Sequence, residues 1–179
     1  MKPLLLFDSV TLRRGGRVLF EGLNLKLGAA EALHVVGPNG SGKSSLIRLA
    51  AGLLRAEAGH VERSSVALSD NALALDRELP LCEALRFWAA ETAMEAMGLA
   101  TLADVPVRLL SSGQSKRATL ARVAASGAQL WLLDEPLNGL DADGVKRLDA
   151  LIACHRSNGG AVLAASHSPL AGDWAELGL

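Results

Sequence analysis

Residues Gly37 to Ser44 read GPNGSGKS and form a complete glycine-rich phosphate-binding pattern. The compact apolar segment Ala32 to Val36 precedes them and helix-spaced apolar residues follow from Lys43, so the pattern lies between a predicted strand and a predicted helix. Glycines in such a loop let backbone N–H groups turn toward a phosphate, and the helix adds the positive end of its dipole. We therefore expect Lys43 to reach the β- and γ-phosphates of a nucleotide and Ser44 to bind Mg²⁺. The other predicted nucleotide-binding residues of the loop are Gly37, Pro38, Asn39, Gly40, Ser41 and Gly42.

An acidic pair follows an uninterrupted apolar run within LWLLDEP. Leu130 to Leu133 predicts a central parallel strand that is buried on both faces, and Asp134-Glu135 comes directly after it. In an open α/β sheet, the carboxyl ends of the strands line the ligand crevice. We expect Asp134 to hold Mg²⁺ through its water shell, and Glu135 to orient or deprotonate the attacking water. A strand that simply ends in an acidic turn is the alternative explanation.

The pentapeptide LSSGQ, from Leu110 to Gln114, precedes a predicted helix that runs to about Ala125. A Ser-Gly pair at the start of a helix supplies a hydroxyl group and free N–H groups that can bind an anion. Because one chain already has a phosphate loop, we expect Ser112 and Gly113 of one copy to close over the γ-phosphate held by another. An ordinary serine N-cap is the alternative, and it explains the serines without the rest of the pentapeptide.

Strand-like and helix-like segments alternate along the chain, which favours an α/β core with a parallel sheet. No convincing strand is found from about Asp70 to Gly127, so this stretch is predicted to be a helical lobe inserted into the core. We expect residues 1–179 to form one domain, with residues 70–127 as its helical subdomain. The remaining predicted strands are Leu4 to Phe7, Val10 to Leu12, Leu23 to Leu27 and Ala161 to Ala165, and the remaining helices are about Leu81 to Leu102 and Asp143 to His155.

The composition favours a folded cytosolic protein. Half of the 179 residues are hydrophobic and the net charge is −1 with mixed signs, which argues against disorder and against a large nucleic-acid-binding surface. No apolar run approaches the roughly 18 residues of a membrane span, and no signal-peptide cleavage site follows the first apolar run. We therefore expect the chain to stay in the cytosol and to reach a membrane only through a partner. Cys82 and Cys154 lie far apart and are predicted to be thiols.

Five ordered motifs resemble the nucleotide-binding subunit of an ABC transporter over nearly the whole chain. They are GPNGSGKS, LSSGQ and LWLLDEP, followed by NGLD at Asn138 to Asp141 and ASH at Ala165 to His167. The resemblance implies a P-loop NTPase core of the ABC ATPase type with a small N-terminal antiparallel β part. It also implies that the chain binds ATP with Mg²⁺ and works with integral membrane subunits.

The same resemblance implies how the site is completed. Two ATP molecules would lie in a head-to-tail dimer, each between the phosphate loop of one subunit and Ser112, Gly113 and Gln114 of the other. Glu135 is then the catalytic carboxylate, and His167 contacts the γ-phosphate beside the phosphate-loop lysine.

The second half of the chain is similar, in particular, to the haem-exporter ATPases of the cytochrome c maturation system. The segments that carry this similarity are DADGV at Asp141 to Val145, HSPL at His167 to Leu170, and CEALRFWA at Cys82 to Ala89. This resemblance implies a peripheral position on the cytoplasmic face of a bacterial inner membrane. There, ATP hydrolysis would drive membrane subunits that deliver haem to, or release it from, a periplasmic haem chaperone. An ABC ATPase for another cargo is the alternative.

Three departures from the family pattern bear on the site and on the sheet. The Gln that normally touches Mg²⁺ and links to the membrane partner is replaced near Ser69-Asp70, where Asp70 is expected to face the metal. Arg13-Arg14 stands in place of the family's adenine-stacking aromatic residue, and because a guanidinium plane can stack on a base, Arg14 is the predicted substitute. The segment from Gly59 to Ser69 and the stretch after His167 are short, so a hairpin and the last strands are expected to be trimmed. The first two departures leave open a degenerate cassette that binds ATP for regulation with little turnover.

Overall fold

The computed structural model describes residues 2–70 and 72–179, which form two β-sheets and the helices that pack on them. In chain order the elements are β1 (Leu5–Arg14), β2 (Arg17–Leu27), β3 (Ala32–Val36), α1 (Lys43–Ala50), β4 (Ala58–Arg63), β5 (Val66–Ser69), α2 (Leu81–Leu85), α3 (Glu91–Ala96), α4 (Ser112–Ala125), β6 (Leu130–Asp134), α5 (Ala142–Ser157), β7 (Ala161–Ala165) and β8 (Ala175–Gly178).

The five-stranded sheet has the order β5-β6-β7-β3-β8, and all its neighbouring strands are parallel. Its central strands β3, β6 and β7 consist mostly of apolar residues and are almost fully buried, as expected of parallel strands covered on both faces. The three strands predicted at these positions are confirmed. Because the strands run in one direction, the loops that follow β3, β6 and β7 leave the sheet at the same edge and lie side by side.

The N-terminal antiparallel part is a three-stranded sheet in the order β2-β1-β4. β1 is one irregular strand over the two predicted segments Leu4 to Phe7 and Val10 to Leu12, because Ser9 (φ 51°) disturbs the pairing without ending the strand. The predicted strand Leu23 to Leu27 is the second half of β2. The expectation that a hairpin between Gly59 and Ser69 and the last strands are trimmed relative to the family stays a prediction. β4 and β5 occupy the first stretch, and β8 forms an edge of the parallel sheet beside β3.

The lobe predicted at about residues 70–127 contains α2, α3 and α4, and its described residues add only an isolated bridge between Pro80 and Pro106. The single long helix predicted from Leu81 to Leu102 is wrong, because the stretch is divided into α2, α3 and short 3₁₀ turns. Ala89 (φ 47°) and Gly98 (φ 67°) take left-handed conformations that end two of these helical segments.

Apolar packing covers the parallel sheet on both faces. On one face, Leu81, Leu85 and Met97 of the lobe share a hydrophobic cluster with Trp131 and Leu133 of β6. On the other face, α1 and the antiparallel sheet form a second cluster with the alternate residues of β6. Among the described helices, none has the length and apolar character needed to cross a membrane.

Candidate active site

The loop between β3 and α1 encloses the side chain of Lys43. Gly42 has a φ of 116°, a conformation that residues with side chains rarely adopt, and it lets α1 begin directly at Lys43. The Lys43 side chain is buried and its Nζ donates to the carbonyl oxygens of Gly37 (2.7 Å) and Pro38 (3.0 Å). The loop therefore holds one positive charge at the N-terminus of α1, where backbone N–H groups favour a phosphate.

The end of β6 meets the first turn of α1 through a side-chain hydrogen bond. Ser44 Oγ donates to Asp134 Oδ1 at 3.0 Å. Asp134 is only 2% exposed, and burial raises the pKa of its carboxyl group; the hydrogen bond from Ser44 opposes this shift and the carboxylate of Glu135 adds to it. The hydroxyl and the buried carboxylate are hard oxygen ligands, and a bound cation would compensate the burial of the negative charge.

Glu135 has an unusual backbone conformation, with a φ of 47° in the left-handed region. Its N–H donates to the carbonyl oxygen of Ala165 (2.8 Å), which joins the loop after β6 to the end of β7. Its carboxylate faces His167, whose backbone N–H donates to Oε2 at 3.4 Å and whose Nε2 lies 3.3 Å from Oε1. Backbone strain of this kind concentrates at functional sites, and here it accompanies the pairing of two predicted catalytic side chains.

A cavity of about 550 Å³ brings together most of the predicted nucleotide-binding and catalytic residues. Those that line it are Arg14, Asn39, Gly40, Gly42, Lys43, Ser44, Glu135 and His167. Leu19 lines it as well, although the sequence did not predict a role for this residue. A Cβ atom added at Gly42 would lie 3.3 Å from Leu19 Cβ, so Leu19 is an apolar wall beside the phosphate loop. In the sequence, Leu19 is an apolar residue of a strand, and such a residue gives no indication that it lines a nucleotide-binding cavity.

Asp70 lies at a second cavity, of about 310 Å³, and not in the lining of the first. Its Oδ1 accepts a hydrogen bond of 3.0 Å from the N–H of Ala72. Ser112 and Gly139 line the same second cavity. The structure thus separates the predicted metal ligand Asp70 from the cavity that Ser44 lines, and its contact with a metal stays a prediction.

The LSSGQ segment begins α4 with a reciprocal cap. Ser111 Oγ accepts from the N–H of Gln114 (3.2 Å), and Gln114 Oε1 accepts from the N–H of Ser111 (2.8 Å). The N-cap explanation therefore accounts for Ser111 and for Gln114, whose side-chain oxygen is engaged within its own chain. It does not account for Ser112 and Gly113, and a Cβ atom at Gly113 would lie 2.6 Å from the carbonyl oxygen of Gly139. Ser112, Gly113 and Gln114 all lie outside the lining of the first cavity.

Lys116, on α4, connects the LSSGQ helix to the end of β6. Its Nζ donates to the backbone oxygen of Asp134 at 3.4 Å. Burial lowers the pKa of Lys116, while the carboxylates of Asp134, Asp70 and Glu135 oppose this shift. A partly desolvated cation therefore lies behind the acidic end of β6. The sequence did not indicate it, because a lysine on a helix is most often a solvated residue.

A family model described as ABC transporter matches residues 20–138 of this chain. The structure is also similar to a solved structure described as the ATP binding subunit of an ABC transporter, with a TM-score of 0.84 over 92% of this chain and 79% of that one. At 20% identity, that likeness concerns the fold. The chain belongs to the ABC transporter family, as an ATP-binding subunit with the ATPase fold.

Two curated relatives narrow the class further, and both carry the name cytochrome c biogenesis ATP-binding export protein CcmA. The protein from Sphingopyxis alaskensis is 58% identical over 181 residues, which is 96% of this chain and 93% of its own. The protein from Novosphingobium aromaticivorans is 57% identical over 172 residues, which is 93% of this chain and 90% of its own. The chain is thus a homologue of these export proteins.

Proposed function

We propose that this chain hydrolyses ATP to power an exporter of cytochrome c biogenesis, which delivers haem to, or releases it from, a periplasmic haem chaperone. Homology to proteins named for that process, over nearly the full chain, supports the assignment of the system. The cavity that joins Lys43, Ser44, Glu135 and His167 is the observation that carries the proposal of hydrolysis. We also propose that residues 1–179 form one ATP-binding domain, with residues 70–127 as the helical subdomain that holds LSSGQ.

Glu135 is the proposed general base for the attacking water. Its carboxylate lines the cavity close to the phosphate loop, and removal of a proton from water by a positioned carboxylate accelerates attack on the γ-phosphate. Lys43, already held by two loop carbonyl groups, supplies positive charge that stabilises the transferring phosphoryl oxygens. His167 pairs with Glu135 and lines the same cavity, and it is proposed to contact the γ-phosphate through its ring.

Mg²⁺ is the proposed metal of this site, and the donor set fits it. Ser44 supplies a hydroxyl oxygen, and the buried carboxylate of Asp134 lies within hydrogen-bond distance of that hydroxyl. Magnesium sites in proteins commonly combine one or two such oxygens with water and substrate phosphates. When bound, Mg²⁺ supplies charge neutralisation for the β- and γ-phosphates.

Arg14 is proposed to stack on the adenine ring. It is the last residue of β1 and lines the same cavity as the phosphate loop, together with the apolar side chain of Leu19. A guanidinium group is planar and weakly hydrated, so it can cover an aromatic ring in place of an aromatic side chain.

The active unit is proposed to be a head-to-tail dimer of this chain. Ser112 is exposed at the start of α4, and with Gly113 it lies outside the cavity of its own subunit. The N-terminus of α4 is therefore available to the γ-phosphate of a nucleotide held by a second copy. Gln114 joins this contact by holding the cap geometry of Ser111.

The membrane subunits are proposed to dock on the helical lobe. Phe87 is 88% exposed and packs edge-on against Trp88, with 5.2 Å between the ring centroids, and Leu109 of the same lobe is 66% exposed. Contiguous exposed apolar surface is typical of protein interaction sites, and the adjacent rings of Phe87 and Trp88 support this proposal for the lobe. Docking there would place the chain on the cytoplasmic face of the bacterial inner membrane, beside partners that span it.

Hydrolysis is tested with the chain purified together with its membrane subunits. We expect turnover of MgATP by the wild type, none by Glu135→Gln, and an ATP-bound dimer of the variant on size-exclusion chromatography. Glu176→Gln, an exposed position on β8, is the matched control and should behave as the wild type. Absence of both turnover and the trapped dimer would instead support an ATP-binding regulatory cassette.

The cargo is tested in cells that lack the chromosomal copy of this gene. Wild-type chain should restore haem-stained c-type cytochromes, whereas Glu135→Gln should not. Normal cytochrome c levels in cells with no active copy, or co-purification with a drug or lipid permease, would contradict the proposed role in cytochrome c biogenesis.

A further inference from the structure

We propose that His34 is a positioning residue for the pair formed by Glu135 and His167. His34 lies on β3, is 5% exposed, and belongs to none of the sequence motifs of the site. Its Nε2 lies 3.1 Å from the carbonyl oxygen of Ser166, which is 132 positions away. Because a carbonyl oxygen can only accept, Nε2 carries the proton and donates it to this hydrogen bond. The inference rests on the proposed catalytic roles of Glu135 and His167.

One peptide group transmits the effect of His34 to the site. The carbonyl of Ser166 and the N–H of His167 belong to the same planar trans unit, in which they point in opposite directions. His34 holds the carbonyl on one side, and on the other side the N–H donates to Glu135 Oε2 at 3.4 Å. Rotation of this unit would turn the N–H away from the carboxylate and displace the His167 ring. His34 thereby sets the orientation of both groups without touching the nucleotide.

The side chain and backbone of His34 are themselves held in place. β3 is paired with β7 on one side and with β8 on the other, so His34 lies within the interior of the sheet. Trp174 packs edge-on against its ring, with 6.3 Å between the centroids. Ser166 is also buried, and its Oγ accepts from the N–H of Ser168 at 3.1 Å. The hydrogen bond from His34 therefore joins the rigid sheet to the start of the loop that carries His167.

The test compares His34→Leu, which removes the donor, with His34→Gln, which keeps an N–H donor of similar reach. In ATP hydrolysis by the chain with its membrane subunits, we expect kcat of H34L to fall about tenfold with an unchanged KM for ATP, and H34Q to recover most of the loss. In a His167→Ala background, H34L should lower kcat by less than in the wild type, because the ring is then missing and only the N–H of residue 167 is left to orient Glu135. Val162→Ala, a buried position on neighbouring β7, controls for a general loss of packing.

Amide hydrogen exchange at His167 provides a readout that does not require turnover. Exchange should be faster in H34L than in the wild type and in Val162→Ala, because the N–H loses its fixed direction toward Glu135. Equal kcat and equal exchange in H34L and the wild type would overturn the proposal, as would additive effects of H34L and His167→Ala. If the wild type does not hydrolyse ATP, the proposed function fails while the exchange result still decides the role of His34. If H34L does not fold, His34→Asn replaces it, because the asparagine amide is too short to reach Ser166. The same outcomes are then expected.

Discussion

The hydroxyl group of Ser44 donates a hydrogen bond of 3.0 Å to Oδ1 of Asp134 across 90 positions of sequence. This contact joins the first turn of α1 to the end of β6, so two oxygens suited to one cation are neighbours. Burial is the main cause that raises the pKa of Asp134, and the Ser44 hydroxyl opposes it most strongly, followed by the positive charge of Arg48.

Ser44→Ala should raise the Mg²⁺ concentration needed for half-maximal ATP hydrolysis by about 10- to 100-fold. The substitution removes one oxygen donor and leaves the buried carboxylate of Asp134 without its hydroxyl partner. A titration of ATPase activity with Mg²⁺ measures the effect. Ser157→Ala, at the exposed end of α5, should leave the titration unchanged. An unaltered Mg²⁺ requirement in S44A would exclude Ser44 as a metal ligand.

Gly113→Ala should lower turnover by about tenfold while ATP still binds to the phosphate loop. The added Cβ would lie 2.6 Å from the carbonyl oxygen of Gly139, and since both partners are backbone, the start of α4 must move. Calorimetric ATP affinity and steady-state turnover separate the two effects, because Gly113 lies outside the cavity of its own chain. At Gly178 a Cβ meets nothing within 4 Å, so Gly178→Ala is the matched control. Wild-type turnover in G113A would contradict the proposed role of this close contact.

His155 should make the protein less stable as the pH falls from neutrality. Its ring stacks on Trp131 with 3.9 Å between the centroids, and burial lowers its pKa below the ordinary 6.5. The unfolded chain therefore binds a proton here at higher pH than the folded chain, so this contribution to stability is lost as the pH decreases through 6.5 toward the folded-state pKa. Urea unfolding midpoints at about pH 7.5 and about pH 5.5 bracket this interval.

His155→Phe keeps a stacked ring and removes the titration, so it should lose less stability than the wild type over the same interval. His60→Phe removes an exposed histidine and should follow the wild type. Equal losses in H155F and the wild type would show that the pH dependence arises from other groups.

Phe87→Ser should weaken association with the membrane subunits and leave ATP binding by the separated chain unchanged. Removal of a large apolar side chain from a docked surface reduces affinity by about tenfold or more, because the buried aromatic area is lost. Co-purification yield and a binding titration with the detergent-solubilised subunits measure this. Leu53→Ser, another exposed apolar residue outside the helical lobe, is the matched control. Equal loss of association in both variants would argue against a docking surface at Phe87.

Local patterns along the chain were sufficient for the phosphate loop, the acidic end of β6 and the central strands. A strand, a glycine-rich turn and a helix each depend on neighbouring residues, so Gly37 to Ser44 predicts its own conformation. The short strands β4, β5 and β8 were missed, because a strand of four to six residues acquires its stability from pairing with distant segments. The long helix predicted from Leu81 was wrong because apolar spacing does not reveal the left-handed residues that divide it.

Residue chemistry in the motifs established which groups are available for phosphate, metal and water, and therefore the class of reaction. Only the tertiary structure showed which of these groups contact one another. Ser44 reaches Asp134, and His34 reaches Ser166, only because β6, β7 and β3 lie side by side in that order in a parallel sheet, which differs from their order in the chain. Asp70 and Arg14 were predicted with similar arguments, yet Arg14 lines the phosphate-loop cavity and Asp70 lines another. Motif spacing encodes local conformation, whereas contacts across 90 or 132 positions depend on the packing of the whole core.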